Sequence, residues 1–170
     1  MIEPTHLDDL VEFPQKVIRA LAMQENIREL LSDRKGATIE DMEDQHGHWL
    51  HFFDYDFIPG TQQEVISAVC VDIDLFPIEG TMMQADLYIS IMCSKSLMDI
   101  SSRNLPGYVG NRVSNLVRYI DLVLRGRRDF GIGRLQMPTV RTVASGNQNI
   151  CKKEIRYAIP DFRVDRSLLQ

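Results

Sequence analysis

No apolar stretch among the 170 residues approaches the roughly 20 needed to cross a bilayer, because charged or polar residues interrupt every hydrophobic segment. No membrane span is expected. Cysteine is scarce: Cys70, Cys93 and Cys151 are odd in number, widely spaced and set in apolar segments. That excludes the framework of a disulfide-stapled secreted domain and points to folding in a reducing compartment. Basic residues are outnumbered, 19 Lys and Arg against 24 Asp and Glu, for a formal net charge of −5. Such a balance opposes general binding to a phosphate backbone, so no dedicated DNA- or RNA-binding module is expected. The opening Met1-Ile2-Glu3-Pro4, followed by Asp8 and Asp9, has neither the basic start nor the apolar run of a signal peptide, and export by that route is not expected. Catalytic signatures are also missing. There is no phosphate-cradling P-loop, GxGxxG fingerprint, GxSxG elbow or HExxH motif, and Gly131-Ile132-Gly133 lacks the rest of a dinucleotide signature. The expectation is a protein that is not an enzyme and needs no cofactor.

What is present is enough apolar material for one domain: 44% of residues are hydrophobic, and a chain of this length buries a full core without metal or disulfide support. Phe13 to Ser32 reads as helix, with Pro14 suited to a first turn and Val17, Ala20, Leu21, Ile27, Leu30 and Leu31 near helical spacing. The phase slips around Gln24, which allows two short helices. Residues 33–64 form a long polar excursion, opened by Asp33-Arg34-Lys35-Gly36 and punctuated by Pro59-Gly60, with a short strand at Trp49 to Phe53.

Period-two alternation then takes over. From Val65 to Phe76, Val69, Val71, Ile73 and Leu75 share one face, with Asp72 and Asp74 opposite. After Pro77-Ile78-Glu79-Gly80 a second run places Ala85, Leu87, Ile89, Ile91 and Cys93 against Asp86, Tyr88 and Ser90, which predicts a hairpin. Asn111 to Leu124 returns to helical spacing, with Val113, Leu116, Val117, Ile120, Val123 and Leu124 as the stripe, Asn111 as cap and Gly126 just past the end. Ile132 to Val143 and Gln148 to Ile159 read as two further strands joined at Ser145-Gly146-Asn147. Pro138 cannot donate a ladder hydrogen bond, so its strand belongs at an edge or carries a bulge, and an edge is where another subunit adds on. The expected fold is α+β: a mainly antiparallel four- to five-stranded sheet packed against one long helix, with an N-terminal helical segment, in one domain over 1–170.

Four constellations have the residue types for chemistry or contact. His46, His48 and His51, flanked by Asp44, Asp54 and Asp56, suit zinc by ligand type. Their spacing matches no standard zinc signature, so the plainer reading is a polar loop that is solvated or touches a neighbouring chain. Arg125, Arg127, Arg128 and Arg134 gather positive charge after the second long helix, enough to dock an acidic partner, though cations there already complement the helix dipole. Asp72 and Asp74 point the same way, as paired carboxylates for acid/base work or a cation would, and equally as a solvated sheet face would. Cys70 and Cys93 have no companion His or Asp motif and read as buried thiols. No metal or catalytic residue is assigned. The candidate interface is His46, His48, His51, Arg125, Arg127, Arg128 and Pro138.

The layout resembles the tail terminator (tail completion) proteins of long-tailed bacteriophages. The residues that carry the resemblance are Val17-Ile18-Arg19-Ala20-Leu21 and Ile27-Arg28-Glu29-Leu30-Leu31, the strand pair Ser67-Ala68-Val69-Cys70-Val71-Asp72-Ile73-Asp74 and Asp86-Leu87-Tyr88-Ile89-Ser90-Ile91, the helix from Gly110 to Leu124, and the closing hairpin with Gly133-Arg134-Leu135 and Ile155-Arg156-Tyr157. It spans about Phe13 to Ile159, and the His-rich segment Lys35 to Glu64 departs from the compact pattern. The resemblance implies a structural virion protein of the tail and neck, assembled in the host cytoplasm. Its subunits would form a hexameric ring that caps the tail tube, ends its polymerisation and meets the head-closure protein of the neck. DNA would only pass through the channel. Two other readings are carried: a different neck or head-closure connector, and a metal-dependent enzyme using His46, His48 and His51. A ligand-binding or regulatory α+β domain is also compatible with the fold.

No long exposed apolar stripe is left over once the core is assigned, so the isolated chain is expected to be monomeric or weakly associated and to form rings on a tube end. Light scattering over a dilution series checks this; a dimer that persists at every concentration contradicts it.

Overall fold

A computed structural model describes residues 6–57, 65–78, 82–100, 105–136 and 138–165. The order of elements is α1 (His6–Ala22), α2 (Glu25–Ser32), a 3-10 turn at Glu40–Met42, β1 (Phe52–Phe53), β2 (Ser67–Pro77), β3 (Met82–Ser94), a second 3-10 turn at Lys95–Leu97, α3 (Arg112–Leu124), β4 (Thr139–Val143) and β5 (Ile150–Asp165). The five strands form one sheet in the order β1-β2-β3-β5-β4. Every neighbouring pair is antiparallel except β1, which runs parallel to β2 through Phe52 opposite Val69 and Phe53 opposite Cys70. The architecture is the expected α+β, with a mixed sheet.

The alternating faces sort as the sequence pattern requires. Val69, Val71, Ala85, Leu87, Ile89, Ile91, Cys93, Ile155, Tyr157 and Ile159 are buried against Phe13, Val17 and Leu21 of α1, Ile27, Leu30 and Leu31 of α2, and Val113, Leu116, Ile120 and Leu124 of α3. All three helices therefore cover one face of the sheet, where a single long helix was expected. Each fully buried Leu, Ile, Val or Phe side chain contributes about 1.5–3 kcal/mol by removal from water. On the other face Ile66, Ala68, Cys70, Met92 and Ile150 make a small separate cluster, partly covered by Phe53 and Phe57, whose rings stack at 4.2 Å.

Three element boundaries differ from the sequence reading, each for a physical reason. Helix α1 begins at His6, so Pro14 lies in its interior and not in its first turn. The missing N–H deprives one carbonyl of a partner, but Leu10, one turn earlier, packs on the core and holds the added turn. The phase slip at Gln24 is real: it separates α1 from α2. The strand expected from Ile132 begins only at Thr139. Gly131 and Gly133 take φ of 90° and 114°, outside the extended region, while Phe130, Ile132 and Leu135 turn inward and are buried. Pro138 stands immediately before β4, and β4 is the sheet edge. The short strand expected at Trp49 to Phe53 narrows to Phe52–Phe53, with Trp49 in an isolated bridge to Glu43.

The helices are joined by buried charges. Asn111 caps α3, its side-chain oxygen accepting from Ser114 N at 2.8 Å. The next residue, Arg112, is wholly buried: Nε donates to Leu97 O at 2.7 Å, and the two terminal nitrogens donate to Leu30 O and to the Asp33 carboxylate. Leu30 is in the last turn of α2 and Asp33 is its C-cap, in the left-handed region at φ 56°. An arginine from α3 thus satisfies the carboxyl end of α2, which has no basic residue of its own there. Arg28 does the same for α1, donating to Ala22 O and to Ala37 O, each at 2.8 Å. Glu29 is equally buried and accepts from the Tyr108 hydroxyl at 2.6 Å, Gly36 N at 2.8 Å and Lys35 Nζ at 2.9 Å. Burial pushes the Glu29 carboxyl up, but these bonds together hold it below its ordinary value; burial and the Glu29 partner drive the Tyr108 hydroxyl upward.

Arg112→Ala would leave two carbonyls and the Asp33 carboxylate without a partner in a cavity. A loss of about 3 kcal/mol is expected, read as a lower urea midpoint with unchanged slope. Arg112→Lys should recover little of it, because one ammonium cannot reach three acceptors in different directions.

Candidate functional site

The loop 43–57 is ordered by its own side chains. Asp44 Oδ1 accepts from His46 N at 2.8 Å and His48 N at 2.9 Å, and its other oxygen lies 3.3 Å from His48 Nδ1. The His48 backbone bond is the main reason the Asp44 carboxyl sits below its usual range. This turn leaves His46 and His48 exposed, their ring centroids 6.1 Å apart. His51 turns the other way, its Nδ1 donating to Ser67 O at 2.9 Å beneath the loop. Asp54 accepts from Gln15 at 2.9 Å and Asp56 from Lys152 at 2.8 Å. The three histidines do not converge, and among the described residues no group of three or more His, Cys, Asp or Glu is placed to hold a metal ion. The loop instead lays Trp49, Tyr55 and His48 beside Arg19 of α1 as a shallow aromatic groove.

The arginine cluster after α3 resolves into local pairs. Arg125 bonds to Asp121, one turn earlier, which also accepts from the Tyr157 hydroxyl at 3.1 Å. Arg127 Nε donates to Asp129 at 2.8 Å, and its guanidinium lies 4.5 Å from the Phe130 ring centre. That bond is the main reason the Asp129 carboxyl drops to about 2. Arg128 is exposed, and Arg134 passes beside Gly126. Arg125 and Arg127 are thus engaged locally, as stabilisation of the helix end requires.

The helix-free face of the sheet carries the remaining charge. Asp72 opposes Tyr88, and Asp74 opposes Asp86. Asp86 is buried and pairs through one oxygen with Arg156; its other oxygen has no hydrogen-bond partner among the described residues. Arg141 bonds to Glu154 at 2.7 Å. Burial pushes the thiols of Cys70 and Cys93 up to about 11, which leaves them protonated and poor nucleophiles at neutral pH.

The sequence reading found one sheet edge, through Pro138, and missed the other. Val69 N donates to His51 O and Ser94 N to Ile66 O, both at 2.8 Å, and these bonds fix the phase of the ladder. Even-numbered residues of β2 bond to β3, and odd-numbered ones turn N–H and C=O away from it. The Phe53–Cys70 bridge engages the Val71 N–H with the Phe53 carbonyl, and beyond it Ile73 and Leu75 face no strand among the described residues. The Ile73 N–H is met by the carboxylate of its own neighbour, Asp72, at 2.8 Å. At the other edge the bond from Lys95 N to Asn149 O sets the phase of β5, so Thr139, Arg141 and Val143 of β4 bond inward. Val140 and Thr142 turn theirs outward. Pro138 was the one sequence signal for this edge.

Burial lowers the His51 pKa, because the charged ring would lose its hydration; the Ser67 carbonyl offsets this only in part. The unfolded chain therefore takes up the proton first. The stability contributed by neutral His51 is full above the unfolded pKa of about 6.5 and is lost as pH falls through it toward the folded value. The wild-type melting temperature should drop more between about pH 7.5 and about pH 5 than that of His51→Gln, measured side by side.

Neither curated proteins nor solved structures give a match to this chain. A family model, YomW, matches residues 15–158, from within α1 through most of β5. The chain belongs to the YomW family, a phage-derived family of the Bacillus prophage type.

Proposed function

We propose that this protein is a structural component of a phage virion, a tail terminator whose subunits form a ring that caps the tail tube, ends its polymerisation and joins the tail to the head connector. The observation that carries the reading is membership of a phage-derived family by a chain with this helix, hairpin, helix, hairpin layout. The layout is the one on which the resemblance to tail terminators rests. Two further features favour it. Several titratable and nucleophilic side chains hold the fold: Glu29, Arg112 and Asp121 in bonds between elements, Arg125 in a bond to Asp121 one turn earlier, and Cys70 and Cys93 as buried thiols. The sheet also has an open edge on each side, and head-to-tail contacts that close into a ring use two different surfaces of one subunit.

The His46–His48–His51 loop and the exposed Arg128 fit this reading as contact residues for the tube or the neck. The net charge of −5 suits a channel through which DNA slides without adhering.

A prophage or phage unable to make this protein should assemble tails of uncontrolled length that fail to join filled heads, seen by electron microscopy of lysates. Tails of normal length beside heads that have lost their DNA would instead assign the protein to head closure. Normal particles would sink both assignments.

A further inference from the structure

Resting on the ring reading, we propose that one subunit joins the next by sheet extension, the β4 edge of one copy pairing antiparallel with the open β2 edge of its neighbour. Both edges carry two outward-facing residues: Ile73 and Leu75 on β2 beyond the end of β1, and Val140 and Thr142 on β4. Pro77 ends β2 and Pro138 precedes β4, and neither has an N–H to donate. Strands β2 and β4 run in opposite senses within one sheet. Rotation about an axis along the strands preserves those senses, so the joint is antiparallel and places both prolines at the same end.

Charge selects a second copy as the occupant. Strands β2 and β3 carry Asp72, Asp74 and Asp86 and no basic residue; β4 and β5 through Ala158 carry Arg141, Lys152, Lys153 and Arg156 against one acid, Glu154. The sheet is acidic at one edge and basic at the other, so identical edges repel and unlike edges attract. The ladder phase sharpens this. Val140 and Thr142 must oppose odd-numbered residues of β2, because only those turn their bonding groups outward. Val140 opposite Leu75 places Thr142 opposite Ile73 and Arg141 opposite Asp74; a shift to Val140 opposite Ile73 would set Thr142 against Val71, whose N–H is engaged by Phe53. The open register sets Arg141 across from Asp74, for which no ion pair is found among the described residues.

Proline substitution at an outward-facing position removes the donor an incoming strand needs and leaves the internal ladder intact. Thr142→Pro closes the β4 edge and Ile73→Pro the β2 edge. The wild type and both variants are taken by sedimentation velocity from micromolar concentrations to about 1 mM, where contacts of about 4 kcal/mol become populated. Expected is concentration-dependent assembly beyond the dimer for the wild type and monomers for each variant alone. An equimolar mixture of the two should give a heterodimer and nothing larger, because each retains one working edge. That heterodimer also demonstrates that both variants fold; Val140→Pro serves as a second block of the β4 edge should Thr142→Pro melt below the wild type. Variants that assemble as the wild type does, or a wild type that stays monomeric throughout, overturn the inference. If the wild type associates through these edges while phage lacking the protein makes normal tails, the joint stands and the terminator reading falls.

Discussion

The fold depends on one buried cation. Arg112 is the first residue of α3, yet its guanidinium reaches the last turn of α2, the left-handed cap at Asp33 and the turn that follows β3. Removing a charge from water is expensive, and the structure offsets it by giving the guanidinium three acceptors in three directions. Those acceptors belong to different elements, so the bond geometry sets the relative placement of α2, α3 and the end of β3. Glu29 is the complementary case on the same helix, an anion held by Tyr108, Gly36 and Lys35. With Arg28 at the end of α1, three consecutive positions of α2 (Arg28, Glu29 and the Leu30 carbonyl) organise the helical layer. The apolar core supplies most of the driving force, and these bonds decide which arrangement of helices it settles into.

How much of this was legible in the sequence follows from the range of each interaction. The β2–β3 hairpin and α3 read clearly because alternation and the 3.6-residue period are local signals, visible in Val69 to Leu75, Ala85 to Cys93 and Val113 to Leu124. The break at Gln24 was visible for the same reason. Strand β4 was misplaced because Ile132 and Leu135 imitate alternation while actually plugging the core from an irregular segment; Gly131 and Gly133 were the contrary sign. Arg112 and Glu29 had no signature at all. A charged residue in a helix looks solvated until its partners, about 80 positions away in the case of Arg112 and Leu30, are brought beside it.

The candidate site divides in the same way. The histidines were noticed by residue type, but the Asx turn at Asp44 and the register of β1 against β2 decided where they point, and they point apart. The arginines after α3 were noticed by density, and i,i+4 spacing to Asp121 already contained the pairing that engages Arg125. Edge strands leave no composition signal beyond a proline, because an open edge is a property of what fails to pair. Pro138 pointed correctly to one edge, and nothing in Ile73 to Leu75 announced the other.

The Asp72 carboxylate gives the open β2 edge an unusual balance. By accepting from the Ile73 N–H it occupies the position of an incoming carbonyl and keeps the lone subunit from indiscriminate strand pairing. An approaching β4 must displace it, while its Arg141 offers that displaced carboxylate, or the one at Asp74, a cation. The outward groups of Val140 and Thr142 supply four backbone hydrogen bonds, worth about 4 kcal/mol together at about 1 kcal/mol each. With the Arg141–aspartate pair and the facing side chains offsetting the freedom lost on association, the joint is populated only near about 1 mM. Two free subunits therefore hold each other weakly at best. Subunits already gathered on a common support meet at high effective concentration, and closure of a ring adds one further joint without any additional loss of freedom. Weak edges guarded by an aspartate thus favour assembly on a template over assembly in solution, which is the behaviour a protein that ends a growing polymer requires.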